Sequence, residues 1–266
     1  LKSNLDGIAY RLSDMDDRIT NLSAKQREQT EDLSDFSFEP TGLDPKSHTL
    51  QAGMSITLRR WTADTEVTLA VTRNGQTTEL PMSGNGGVFT APVSLPVEDT
   101  GEVSFAANIT AGGQTSREEV TSYSDLAVLL PLSNDSSGYG DPTYRGGNFQ
   151  LQYDLGIRKQ YGTEVIAPVF QVLKNGETVQ TLPAKISEST FSGDPDVVYY
   201  TPASENGGIA VSCQPKDTIE LHLLCRDSFG LSYDFTVCTY EIDQDGTIAE
   251  EVWPDTDYNV RVFWEK

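Results

Sequence analysis

Val67-Thr68-Leu69-Ala70-Val71-Thr72-Arg73-Asn74-Gly75-Gln76-Thr77-Thr78-Glu79-Leu80-Pro81 is the stretch that decides the fold class. Val67, Leu69 and Val71 alternate with Thr68, Ala70 and Thr72, the two-residue period of a strand with one face in a core. Asn74-Gly75 then supplies two residues that tolerate positive φ, which a two-residue type I′ hairpin requires. Leu80-Pro81 fits a sheet edge, where the missing proline N–H leaves no ladder bond unmade. The same period runs through Met54, Ile56 and Leu58 and through Val103, Phe105, Ala107 and Ile109, with turns at Asn85-Gly86-Gly87 and Gly112-Gly113. Short strands at this density predict a sandwich.

The second half repeats the first. Lys174-Asn175-Gly176-Glu177-Thr178 matches Arg73–Thr77, and Leu182-Pro183 matches Leu80-Pro81. Asn206-Gly207-Gly208-Ile209 matches Asn85-Gly86-Gly87-Val88, and Asp217-Thr218 with Glu220-Leu221 matches Asp99-Thr100 with Glu102-Val103. Gly230 falls at the same offset from Gly112. Landmarks in one order, with little identity between them, mark an old internal duplication.

Ahead of the strands the period is different. Leu1, Leu5, Ile8, Leu12, Met15, Ile19 and Leu22 follow four-three spacing, and the register continues to Gln26, Gln29 and Leu33. Such a heptad narrows the apolar seam to two positions and predicts an α-helical coiled coil. Leu5, Leu12 and Ile19 take a positions and Leu1, Ile8, Met15 and Leu22 take d, so this seam is the expected oligomerisation surface, a trimer being preferred to a dimer. The expected fold class is mainly β: an N-terminal α-helical coiled-coil stalk followed by two tandem immunoglobulin-like β-sandwiches. The stalk is placed at 1–36, the first sandwich at 37–132, a linker at 133–147 and the second sandwich at 148–266. The linker is read from its Asn, Asp, Ser, Gly and Pro content. The apolar run Ala127–Leu130 before it reads as the last strand of the first sandwich.

A net charge of −21 and an isoelectric point near 4.3 argue against nucleic acid and against anionic membrane surfaces. No apolar run approaches the roughly 18 residues of a membrane helix. Because the chain opens inside a heptad, a signal or single membrane helix upstream is expected, and it supplies the only membrane contact. Cys213, Cys225 and Cys238 match no zinc spacing. They read as buried apolar residues, with a Cys225–Cys238 hairpin disulfide as the alternative.

Between Leu-Pro and Asn-Gly-Gly the first copy has only Met82 to Gly84, whereas the second has an insertion, 185–205. Phe191, Asp194, Asp196, Tyr199 and Tyr200 within it are the candidate ligand- or partner-binding residues, since aromatic and acidic loops on a rigid sandwich suit recognition. The competing reading is an extra hairpin with Val197 to Thr201 as a strand. Glu241, Asp243 and Asp245 before Gly246 resemble a calcium loop, but Val252 stands where a bidentate Glu is needed, and a plain turn explains the pattern. Val260, Val262 and Trp264 alternate with Arg261 and Phe263 as a closing extra strand. His48 and His222 lie in different repeats, and no nucleophile elbow, phosphate loop or zinc helix occurs. No catalytic residue, metal or cofactor is expected.

Residues 38–243, with their strand rhythm and hairpin turns, resemble tandem immunoglobulin-like or fibronectin-III-like modules of bacterial surface proteins. That resemblance implies a spacer, adhesive or binding role and transfers no functional residue. The expected protein is non-enzymatic, extracellular or cell-surface and membrane-tethered, presenting two modules to a protein or glycan ligand. A phage or appendage fibre that binds a receptor is the first alternative. A carbohydrate-active enzyme on a β-sandwich is the second.

Overall fold

The computed structural model describes residues 32–98, 100–188, 193–204, 208–249 and 260–264, with backbone alone at 136–139. The first half forms β1 (Leu33–Asp44), β2 (Thr49–Leu58), β3 (Glu66–Arg73), β4 (Gln76–Pro81), β5 (Ser83–Asn85), β6 (Val88–Pro96), β7 (Val103–Ala111) and β8 (Gln114–Tyr123). A 3₁₀ turn, Leu126–Leu129, follows. The second half forms β9 (Leu132–Arg145), β10 (Asn148–Lys159), β11 (Ile166–Lys174), β12 (Glu177–Ile186), β13 (Val197–Pro202), β14 (Ile209–Ser212), β15 (Thr218–Arg226), β16 (Leu231–Glu241) and β17 (Val260–Trp264). Contacts group residues 32–38, 54–91 and 104–121 into one unit and 39–53, 92–103 and 122 onward into a second. This division cuts through β1, β2, β6, β7 and β8.

The sheet orders reproduce the repeat. The first half pairs as β1-β2-β6-β5 and β4-β3-β7-β8. In the second half β10 pairs with β9 and β14, while β12-β11-β15-β16 follows the order of β4-β3-β7-β8. Both halves therefore have the strand order of an immunoglobulin-like sandwich. Asn74 and Gly75 have φ of 49° and 73°, and Asn175 and Gly176 have 52° and 81°, so both hairpins carry the positive-φ pairs their sequences predict.

In the first unit the Phe38 ring on β1 meets Phe105 on β7 at 5.0 Å between centroids, with Met54, Ile56, Leu69 and Phe89 buried around them. In the second, Phe149 on β10 meets Tyr240 on β16 at 5.5 Å, and Phe170, Val172, Leu221, Leu223 and Phe235 fill the interior. Alternate residues of β6 are buried, as a strand with one face in a core requires.

The helical part of the expected fold class is corrected. Among the described residues the sole helical element is the four-residue 3₁₀ turn, so the fold they form is mainly β and no α-helical stalk stands among them. The heptad positions Leu1, Leu5, Ile8, Leu12, Met15, Ile19 and Leu22 lie outside the described residues. Leu33, the last position of that register, begins β1 instead. Its N–H and that of Asp32 donate to the Glu118 carboxylate at 2.9 and 2.5 Å, and Arg59 N–H donates to Asp32 C=O at 2.7 Å. Those bonds tie the backbone in an extended path, which apolar spacing alone does not report.

Two further segments differ from their sequence reading. Residues 132–145, rich in turn formers, are strand β9, paired along β10 from Arg145↔Asn148 to Leu132↔Lys159 around a Gly146-Gly147 turn. An edge strand tolerates Pro142 and two glycines, and the Tyr153 ring lies against Gly140 where a Cβ would stand. Ala127–Leu130, read as a strand, lies in and just after the 3₁₀ turn, whose first free N–H, on Ala127, is capped by Asp125 at 2.7 Å.

All three cysteines are buried thiols outside any disulfide. Cys225 stands opposite Tyr233 and Cys238 opposite Leu221, four residues further along β15. That separation is roughly 13 Å, beyond the Cα span of a disulfide. Burial pushes the Cys225 thiol up to about 12. A thiol-reactive chromophore at pH 8 should label none of the three in the native chain and all three in guanidinium. Native labelling of Cys225 would contradict the packing.

At the corner between β15 and β16, Asp227 is 1% exposed and accepts from Phe229 and Leu231 N–H at 2.8 and 3.0 Å and from Tyr233 O–H at 2.8 Å. Three donors converge on one buried carboxylate, so Asp227→Ala should cost about 3 kcal/mol in urea unfolding, and Asp227→Asn clearly less. Equal losses for the two variants would show that the bonds are not what holds the corner.

Candidate ligand-binding cleft

The site is built by an interruption in pairing. On one side β10 meets β14 over residues 148–151 and β13 over 155–158, and between these runs neither strand follows it. A cleft of about 370 Å³ opens there, within the size range of ligand sites. Its walls carry Gln150 and Gln152 from β10, Asp141 and Thr143 from the facing positions of β9, Gln180 from β12, and Ser204. Gly208 permits the close approach at one side, since a Cβ there would stand 2.6 Å from the Leu151 carbonyl oxygen. A second cavity of about 340 Å³ shares Gln180 and Ala210 with the first and adds Lys174, Val179, Val211 and Ser212.

The cleft is polar and chemically mild. Among the described residues, amides and hydroxyls dominate the first cavity, Asp141 is its one carboxylate, and neither cavity is lined by a histidine or a cysteine. Gln180 Oε1 is buried without a hydrogen-bond partner. Lys174 Nζ donates to Ser212 C=O at 3.2 Å and lies 3.8 Å from Asp217. The Asp217 carboxyl is held below its usual range by Asn175 Nδ2–H at 2.8 Å and then by Gln214 N–H at 2.8 Å. Among the described residues no three His, Cys, Asp or Glu side chains converge as metal ligands.

The insertion that ends beside this cleft holds the residues singled out in the sequence. Phe191 lies outside the described residues. Asp194 and Asp196 share a turn. Asp194 accepts from Asp196 N–H at 2.9 Å and from Arg158 at 2.8 Å, and these two bonds, in that order, lower its pKa. Tyr199 and Tyr200 belong to β13 and are 4% and 7% exposed, so their rings fill the interior, and burial pushes the Tyr200 hydroxyl up to about 12. The structure thus brings the two aspartates together and separates them from the tyrosines. The calcium-like segment is a turn, with Gly246 N–H donating to Asp243 C=O at 3.0 Å and Thr247 Oγ1 donating to Asp245 at 2.7 Å.

None of the cleft residues was singled out as a binding residue in the sequence, although Lys174, Gly208 and Ile209 stand among the repeat landmarks and Ser204 lies in the insertion. One signal was there: after the matching Leu-Pro pairs the first copy has Met82, buried, and the second has Ala184. A smaller residue at the point where the copies diverge marks where the second is less filled.

No family profile and no curated protein matches this chain. A solved structure of the selenomethionine-substituted chicken interferon gamma receptor alpha chain is 9% identical, covering 87% of this chain and 97% of that one, with a TM-score of 0.27. A likeness at that level carries no argument.

The two histidines are accounted for elsewhere. His48 stacks on Trp264, both in the second unit, at 4.6 Å between centroids. His222 is buried with Nδ1 2.6 Å from Asp234 and Nε2 3.4 Å from Glu220, and Arg261 of β17 pairs with the same Asp234. Burial opposes protonation of His222, but the bond and charge of Asp234, then those of Glu220, outweigh it and raise its pKa. Burial likewise opposes ionisation of Asp234, yet His222 and then Arg261 hold it below the usual range. A raised imidazole pKa stabilises the fold fully below the ordinary value of about 6.5 and loses that contribution as pH rises through the folded value. Replacing His222 with Gln should therefore destabilise the chain more at pH 5.5 than at pH 9, as read by urea midpoints. A loss that does not change with pH would rule out the ion pair.

Proposed function

We propose that the chain is a non-enzymatic, extracytoplasmic binding protein whose ligand sits in the cleft of the second sandwich. The observation that carries this reading is the difference between the copies. The first fills its corresponding space with Met82 and β5, whereas the second diverts the chain into β13 and keeps a polar cleft. An acidic surface and an immunoglobulin-like architecture, common among cell-surface modules, fit this setting. The described lining supplies donors and acceptors suited to holding a ligand.

The test is a filled cleft. Ala210 lines both cavities, so Ala210→Trp should occupy them while leaving the circular dichroism spectrum unchanged. Ligands taken from peptide and oligosaccharide arrays by the natural chain should bind the variant at least ~10-fold more weakly, a loss of about 1.4 kcal/mol. Ligands bound equally by both chains would place the binding surface elsewhere.

A further inference from the structure

The rim of the cleft is the edge of a β-sheet. β14 pairs with β10 on one side and ends the sheet order, so among the described residues no strand pairs with its other side. Hydrogen-bonding direction alternates along an antiparallel strand. Cys213 N–H donates to Gly147 C=O at 2.9 Å, toward β10, which sets residues 209, 211 and 213 inward. Ser212 C=O, accepting from Lys174 Nζ, points the other way, and so does Gly208 C=O, accepting from Ser204 Oγ at 2.5 Å. Ala210 lies between them with its N–H and C=O on that same side, at the point where the two cavities join. Across the gap, Gln180 Oε1 is buried and unpartnered. The facing edge of β12 is paired with β13 over residues 184–186 only.

From this geometry, and resting on the binding role proposed above, we infer that the cleft takes an extended peptide segment, added as one further strand against β14 with Ala210 as its central rung. A peptide backbone offers what this place asks for: an N–H and a C=O at strand spacing for Ala210, and a further donor for Gln180. The first copy shows the same kind of occupant supplied internally. There β5 lies against β6, the counterpart of β14, in the register Ser83↔Thr90 to Asn85↔Val88, with Met82 buried beside it. Among the described residues neither cavity is lined by an aromatic ring on which a sugar could stack. With −21 on the chain and Asp141 on the rim, neutral or basic side chains suit the peptide.

The full chain is tested against seven-residue acetylated and amidated peptides that alternate Thr with Val, Met or Lys, beside a panel of neutral oligosaccharides. Peptides with Met or Val at the central apolar position should be retained and lost on Ala210→Trp. N-methylation of the amides that face β14 should weaken binding about tenfold, one ladder hydrogen bond, while methylation of the intervening amides leaves it unchanged. Because the peptide carries this change, the protein's own stability does not enter. Retention of oligosaccharides alone, blocked by Ala210→Trp, would overturn the peptide inference and leave the binding role standing. Peptide binding indifferent to the methylated position would overturn strand addition. No ligand of either class would overturn both readings.

Discussion

An extended strand carries hydrogen-bonding groups along both of its edges, and each edge must be paired, covered or left to something outside the fold. Most of this architecture is a settlement of that requirement. β10 has β9 along one side and shares its other side between β14 and β13. β12 passes from β11 to β13 along its length and so joins two layers that the first copy keeps as separate sheets. The cleft lies where this settlement is incomplete, which is why its position follows from strand pairing and not from any special loop.

The last strand shows a different means of closing an edge. β17 adds to β16 with Arg261 directly opposite Asp234, and that carboxylate also holds His222 from β15. One buried acid therefore fastens three successive strands. A buried charge is costly unless its partners are close, and here the Arg261 guanidinium and the His222 imidazole flank it. At the other end of the same hairpin, Asp227 gathers two backbone N–H groups and a tyrosine hydroxyl at the turn. In a chain of such acidity, these two carboxylates are distinguished by burial and by partners, not by their sequence surroundings.

What could be read in the sequence was local. Alternating residues in β3 and β7, the Asn-Gly turns, the duplication and the closing strand all depend on neighbours a few positions apart, and the strand expected at Val197 is β13. What could not be read depends on distant partners. The composition of β9 is that of a loop because an edge strand beside a long neighbour accepts Gly, Pro and Asp. Leu33 continued an apolar register, yet its conformation is set by Glu118, far along the chain. The cleft was invisible for the same reason: Gln150, Gln152 and Gln180 become one surface only when β13 and β14 divide β10 between them. The tyrosines of the insertion drew notice as aromatics, and their place in β13 turned them inward.

The carbonyls on either side of Ala210 are both occupied by side chains, Lys174 at one end and Ser204 at the other. This leaves a single rung exposed on the free side of β14. Long bare edges invite indefinite stacking of copies into fibrils, and a one-rung opening between two plugs cannot propagate that way. The same two side chains thus shorten the edge and fix the length over which any added backbone could pair with it.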